Sequence, residues 1–410
     1  MPMSMSGNKL NTSPQREVML NVVPDIPRTH FVDHRIYTDP SIFKIETETI
    51  FTKVWKFVCH VSEVENPLDF RTTEVAGVPL IILRNEEGGL KCFLNVCSHR
   101  GVKFEQRPSG SAKAFVCPFH NWTYDTKGEC INIPRSEAYD WCSLGKKDMS
   151  LREVRIEEAH GLVFINLDDK AESLVEFLGP ALEELLPVLN GQELEVISYN
   201  EQVLDTNWKN WQETNHELYH EYLHVVNRRT GLIQEGYYDR RWHPHLNGHA
   251  SIDPITPDYT KMPGWGARAD ISFEGLTPAE FRHVTLFPDI VFLCRATSLR
   301  IDVQVPISAD KTLIQFRGLG VKGEPEEDRI QRVRDYNEFW GPFGRNLPED
   351  MVASVRQAQA MSDTVGGYTL FARENDGPMD DIPVREWYVH WGHLTGLDPA
   401  NPLSQSKSRL

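Results

Sequence analysis

The spacing of hydrophobic and polar positions changes character twice along the chain. From Ile36 to about Val58, the run IYTDPSIFKIETETIFTKVWKFV spaces its apolar residues as an amphipathic helix does and ends in an aromatic strand. Asp39-Pro40 supplies a helix start, with Pro in the first turn. From Cys59 to about Cys142 the runs become short and β-rich: TTEVAG, VPLIILRN, LKCFLNVC, AFVCPFH and NWTYDTKGECI. Turn signals at Glu86-Glu87-Gly88-Gly89 and Asp125-Thr126-Lys127-Gly128 separate them, which predicts a small antiparallel β module.

Beyond Arg152 the texture shifts again. VRIEEAHGLVFINLD predicts a strand pair around Gly161, SLVEFLGPALEELLPVL a helix interrupted at Gly179-Pro180, and LEVISYNEQVL a strand. Residues 207–227 read as helical and rich in His and Glu. Residues 228–282 are loop-rich, and long loops of this kind tend to be lids or binding walls. Strands return in HVTLFPDIVFLCRA, LRIDVQVPIS and KTLIQFRGLG, and helices are predicted at about 325–340 and 348–362. The predicted fold is α+β: a small antiparallel β domain, then a larger α+β domain with a central antiparallel sheet. The boundaries are 1–35 as an N-terminal tail, 36–152 as the first domain with a helix that packs on the second, and 153–410 as the second domain.

Composition narrows this picture. A chain of 410 residues carries two or three domain-sized units. The net charge of −16 argues against nucleic acid, which needs clustered Lys and Arg. No apolar run is long enough for a membrane span, and the polar stretch Met1 to about Pro14 lacks the apolar core of a signal peptide. Seven Cys in no framework pattern point to a reducing compartment, hence a cytoplasmic protein.

Two of those Cys have ligand-like company. Cys97-Ser98-His99 and Cys117-Pro118-Phe119-His120 each offer one thiolate and one imidazole, and 17 residues separate His99 from Cys117. A Rieske cluster takes two His in place of two Cys on one iron, and this pair of loops supplies that set. Zinc also accepts two Cys and two His, but its modules usually group Cys with Cys and His with His.

A second constellation lies between Asn207 and His224. On a helix His220 and His224 share a face, with Glu217 one turn earlier. Two imidazoles and one carboxylate with open positions form the facial triad of non-haem Fe(II) oxygenases. His216-Glu217-Leu218-Tyr219-His220 also matches H-E-x-x-H, the zinc protease motif, and a solvated helix would show the same residues. Asp350, in Pro348-Glu349-Asp350, is a candidate third ligand, though acids favour helix starts for dipole reasons alone. Gly318-Leu319-Gly320-Val321-Lys322-Gly323 fits G-x-G-x-x-G, but the acids that follow would repel a pyrophosphate, so no nicotinamide site is assigned.

Over residues 36–395 the chain resembles the large (alpha) subunit of Rieske non-haem iron ring-hydroxylating oxygenases. The likeness rests on CSHRG, CPFHNWTYDTKGE, Asn207-Trp208-Lys209, and an acid–histidine motif matched by Glu213, Glu217 and His220. Asn121 stands where the family usually has Gly. His224 comes one residue early, which leaves His216 as the alternative ligand.

The resemblance implies a 2Fe–2S cluster on Cys97, His99, Cys117 and His120, and a mononuclear Fe(II) on His220, His224 and Asp350. It implies catalytic roles for Asn207 and for Glu217, which bridges His120 of one subunit to His220 of the next. It implies a homotrimer, or three alpha chains joined to three small β subunits. Electrons would come from NAD(P)H only indirectly, through a reductase and in some systems a ferredoxin. The reaction implied is O2-dependent dihydroxylation, or monooxygenation and demethylation, of an aromatic compound. The different-class alternative is a Rieske electron-transfer protein lacking a working catalytic iron. Arg228-Arg229, Arg240-Arg241, Arg268 and Arg295 add the expectation of an anionic substrate, since arginine forks suit carboxylate and sulfonate.

Overall fold

Alternating apolar positions build the strands, and the computed structural model describes residues 22–230, 236–258, 270–295, 297–361, 367–373 and 376–403. Strand β1 (Phe31–Asp33) and helix α1 (Pro40–Glu46) lead into β2 (Lys56–His60). The first metal-type loops are carried by β3 (Asp69–Val75), β4 (Val78–Arg84), β5 (Leu90–Leu94), β6 (Ser109–Ser111), β7 (Ala114–Val116), β8 (Thr123–Asp125) and β9 (Cys130–Asn132). A hairpin, β10 (Arg155–Ala159) and β11 (Leu162–Asn166), follows. Then come β12 (Leu194–Leu204), α2 (Trp208–His216) and α3 (Val225–Thr230). The sheet continues in β13 (Trp242–Pro244), β14 (Ala250–Ile255), β15 (Phe281–Leu286), β16 (Ile290–Arg295), β17 (Ser298–Ser308) and β18 (Lys311–Val321). Helices α4 (Glu326–Trp340) and α5 (Leu347–Ala360), strand β19 (Tyr368–Leu370) and helix α6 (Ile382–Thr395) close the chain.

The strands pair antiparallel, as the alternation predicts. The small domain holds the sheets β5-β4-β3-β6 and β7-β8-β9; the large one holds a seven-stranded sheet in the order β12-β18-β17-β16-β15-β14-β13. The hairpin β10–β11 pairs back onto β2, and its Val163 and Ile165 share a core with Val58, Leu80, Ile82 and Cys92.

Directly opposed residues of an antiparallel pair lie on one face of the sheet. One row therefore runs Trp242, Ile252, His283, Leu293, Arg300, Gly318. The adjacent row, Val284, Phe292 and Ile301, belongs to the opposite face and packs with Ile42, Ile50, Phe51 and Trp55 of the N-terminal segment. The N-terminal helix thus packs on the large domain's sheet.

Buried polar ties fix this docking. Glu46 of α1 accepts from Lys209 Nζ at 2.6 Å, Trp391 Nε1 at 2.8 Å and Trp208 Nε1 at 3.0 Å. Asn207-Trp208-Lys209 is thereby explained: two of its side chains meet one carboxylate of the N-terminal helix. Glu63 joins the domains by accepting from Arg317 Nε of β18 at 2.8 Å while pairing with Arg71 of β3 at 2.7 Å. The glycines that mimic a nucleotide loop have a packing role. A Cβ on Gly318 would lie 2.7 Å from the Tyr336 ring, and one on Gly320 2.6 Å from Arg332.

One sequence reading changes. The helix expected over 207–227 ends at His216, Glu217 is extended, and a 3-10 turn spans Tyr219–Leu223 before α3.

Candidate metal centres

The two Cys-His loops are built alike. Cys97 N–H donates to Val102 O, and Cys97 O accepts from Gly101 N–H; Cys117 repeats both bonds with Trp122 O and Asn121 N–H. The fifth residue of each loop is left-handed, Gly101 at φ 72° and Asn121 at φ 58°. Asn tolerates that region better than most L-residues, so the Gly-to-Asn departure is absorbed by the backbone.

Both thiols are buried, and Cys97 Sγ lies 3.1 Å from the Tyr124 hydroxyl. Burial and the neighbouring Cys97 thiol push the Cys117 thiol up. The His99 and His120 rings are 4.6 Å apart, and His99 stacks on Trp122 at 4.9 Å. His99 Nδ1 is buried with no hydrogen-bond partner among the described residues. Two facing thiols and an orphaned imidazole nitrogen fit a 2Fe–2S cluster ligated by two Cys and two His. The rim is open to solvent, with Phe119 beside His120 at 54% exposure.

The second centre is assembled at the break after α2. Glu217 Oε2 accepts from Tyr219 N–H at 2.7 Å and His220 N–H at 3.1 Å, so this carboxylate starts the 3-10 turn. The turn presents His220 and, at its end, His224; α5 brings Asp350 from the other side. His220 Nε2 is 3.7 Å and His224 Nε2 3.4 Å from Asp350 Oδ1. Among the described residues, these three form the one group of metal-type side chains whose donor atoms all lie within 4.8 Å of one another. Asp350 Oδ1 is buried and lacks a hydrogen bond among the described residues.

The outward nitrogens are held as well. His220 Nδ1 lies 3.0 Å from Glu217 Oε1, and His224 Nδ1 lies 2.8 Å from Glu349 Oε2. A carboxylate behind a ligating imidazole fixes its tautomer and aims the other nitrogen inward. Electrostatics shows what the site lacks. Burial would lower His220, but Glu217 and then Asp350 outweigh it and raise it to about 10. Burial raises Asp350 against the pull of His224 and His220. The cluster demands positive charge, which suits a divalent metal with two imidazoles and one carboxylate.

The other named residues are placed apart. His216, whose Nδ1 bonds to Gln212 O at 2.9 Å, is lowered by burial to about 4 and does not join the triad. Asn207 caps α2: it accepts from Lys209 N–H and donates to Tyr37 O and Ala309 O. Glu213 accepts from the hydroxyls of Tyr37 and Tyr388. Glu349 was not singled out by sequence reasoning; its only signal was the Glu-Asp pair at a helix start. Arg268 lies outside the described residues.

Residues 54–152 match the family model of the Rieske 2Fe-2S domain, and residues 191–388 match that of the ring hydroxylating alpha subunit catalytic domain. The chain is 49% identical to the alpha subunit of 2-aminobenzenesulfonate 2,3-dioxygenase from Alcaligenes sp, over 90% of this chain and 95% of that one. The chain belongs to the Rieske ring-hydroxylating oxygenases. This oxygenase is also 37% identical to the hydroxylase alpha subunit of methanesulfonate monooxygenase from Methylosulfonomonas methylovora, over 92% and 94% of the two chains. Its fold matches naphthalene 1,2-dioxygenase from Rhodococcus sp. with a TM-score of 0.77 at 24% identity, covering 89% of this chain and 94% of that one. The oxygenase carries a Rieske cluster and a mononuclear iron, and is the terminal component that applies reductase-derived electrons to O2. No helix among the described residues is long and apolar enough to cross a membrane.

Proposed function

We propose that this oxygenase hydroxylates an aromatic sulfonate, receiving electrons at Cys97, His99, Cys117 and His120 and using them at an iron held by His220, His224 and Asp350. The sulfonate follows from the two relatives above, whose named substrates share that group and differ in almost everything else. The observation that carries the assignment of the iron is the convergence of three donors on a space where Asp350 Oδ1 has no hydrogen bond among the described residues.

When bound, the iron supplies O2 activation beside the substrate. Glu217 and Glu349 hold the Nδ1 protons of His220 and His224, which leaves each Nε2 lone pair for the metal. Asn207 contributes by fixing where α2 begins. Glu217, with its side chain 26% exposed, reaches both His220 and the surface. That supports its use as the bridge to His120 of a neighbouring subunit, in a homotrimer or in an assembly with small β subunits. A ferredoxin between reductase and oxygenase and a cytoplasmic setting complete the reading. Residues 36–152 serve as the electron-input domain, 153–410 as the catalytic domain, and 1–35 as an N-terminal segment whose β1 is anchored to β19.

Iron analysis of anaerobically purified protein tests the centre: two cluster irons and one further iron per chain are expected. Cluster iron alone would leave an electron-transfer protein and overturn the catalytic reading. Glu217→Ala is expected to keep the cluster's visible spectrum and lose reductase-coupled O2 uptake. Full uptake in that variant would refute the bridge.

A further inference from the structure

Beside the iron ligands lies a buried cation whose terminal nitrogens have no hydrogen-bond partner among the described residues. Arg240 is 4% exposed, and its Nε donates to Tyr237 O at 3.0 Å. Its Nη1 and Nη2 are buried and have no hydrogen-bond partner among the described residues. The guanidinium lies 4.3 Å from the Tyr237 ring and 5.6 Å from the Phe281 ring. On the opposite strand position, Arg295 covers the same Phe281 ring at 4.7 Å, so two guanidiniums flank one aromatic side chain.

A buried carboxylate, Glu221, lies beside this pair. Glu221 lies 3.8 Å from Arg295 Nη2 and accepts from Tyr237 OH at 2.9 Å and Asn227 Nδ2 at 3.1 Å. Glu221 follows His220 directly, which sets the arginines beside the iron site. Asp253 also feels Arg240, but it is partly exposed and bonded to His243 and Arg241. A buried guanidinium whose terminal nitrogens have no hydrogen-bond partner among the described residues is costly unless an acceptor arrives.

Nearby donors extend the site. Phe281 and His283 sit two apart on β15 and so share a face, and Trp242 is in the same cross-strand row as His283. The Trp242 and His283 rings are 5.5 Å apart, and Trp242 Nε1 and both His283 nitrogens are buried with no hydrogen-bond partner among the described residues. Bare donors from three side chains suit a ligand rich in acceptor oxygens, and a sulfonate offers three around one charge.

We infer that Arg240, assisted by Trp242 and His283, binds the substrate's sulfonate and so orients the ring toward His220, His224 and Asp350. The inference rests on the sulfonate reading above and assigns it to specific donors. It makes Arg240 a specificity residue: a carboxylate would use the same fork with one acceptor fewer, and a neutral ring would leave it buried and bare.

Binding to the intact protein, without turnover, tests it. Calorimetric titrations use 2-aminobenzenesulfonate, 2-aminobenzoate and aniline, with wild type, Arg240→Gln, Arg240→Lys and Trp242→Phe. Wild type is expected to bind the sulfonate most tightly. Arg240→Gln should weaken it roughly 10- to 100-fold, the worth of one charge-assisted pair, with Lys restoring part of the loss and Trp242→Phe costing less. Aniline binding should change little in any variant. Equal sulfonate affinity in wild type and Arg240→Gln would overturn the role of Arg240 while leaving the sulfonate reading intact. If wild type binds aniline but neither anion, the sulfonate reading itself fails and the inference with it. A thermal-shift measurement on wild type alone, raised by the sulfonate and unmoved by aniline, guards against variants that fold poorly; no shift counts against the site.

Discussion

Val284, Phe292 and Ile301 form one row across the seven-stranded sheet; His283, Leu293 and Arg300, one residue away on the same strands, form the other. The first face closes on α1 and the N-terminal segment with apolar side chains almost wholly removed from water. The second carries His283, Arg300, Asp302 and Gln304, each with at least one buried polar atom unpartnered among the described residues. Unmet buried polar groups cost about 1–3 kcal/mol each. A face built that way is tolerated because its neighbour supplies stability, at about 25 cal/mol for each Å² of apolar surface buried. Alternate residues of one strand thus divide the work between holding the fold and holding chemistry.

That division can be broken from either side. The largest effect is expected from Asp350→Ala: loss of the mononuclear iron and of substrate-dependent O2 uptake, with the cluster spectrum and melting temperature kept. Retained iron and turnover in that variant would place the metal elsewhere. Phe292→Ala attacks the opposite face and should lower stability by roughly 3–5 kcal/mol, the usual cost of emptying a buried aromatic site. Denaturant midpoints would report it, while the folded fraction should keep its iron and its KM. A shifted KM with an unchanged midpoint would erase the contrast.

The smallest effect concerns Glu213, a buried acid between Tyr37 and Tyr388 of α6. Burial lifts it from 4.5 to about 7, against the opposing hydrogen bonds of Tyr388 and Tyr37. Because the folded state holds this proton more tightly, ionisation penalises folding increasingly from about pH 4.5 to about 7, and fully above. Glu213→Gln keeps an oxygen for both tyrosines without the charge. Its melting temperature relative to wild type should therefore climb between pH 5 and pH 8, and a constant difference would contradict the assignment.

Much of this was legible in the sequence, and the exceptions have physical causes. Strand alternation and turn residues report local geometry, so the antiparallel strands of both domains and the Cys-His loops could be read directly. The break at Glu217 could not: its cause is a carboxylate capping Tyr219 and His220, and Glu is an uncommon cap. The i,i+4 argument for His220 and His224 assumed a continuous helix. The two residues meet at Asp350 through a 3-10 turn instead. Glu349 was hidden because an acid at a helix start already has a reason to be there. Arg240 was one of several arginines suited to an anion, and nothing in the sequence set it apart, since burial of an Arg is seldom legible there; the packing around Phe281 does.

Glu46 has a consequence for how the chain is made. Its carboxylate is synthesised early, Lys209 emerges midway, and Trp391 arrives 345 residues after Glu46. Strand β1 likewise waits for β19. On the ribosome, the large domain therefore has an open seam until nearly the last helix is out. A message cut short before α6 yields a nascent chain that holds all of the Rieske-domain stretch, residues 54–152, while Glu46 and β1 still lack their late partners.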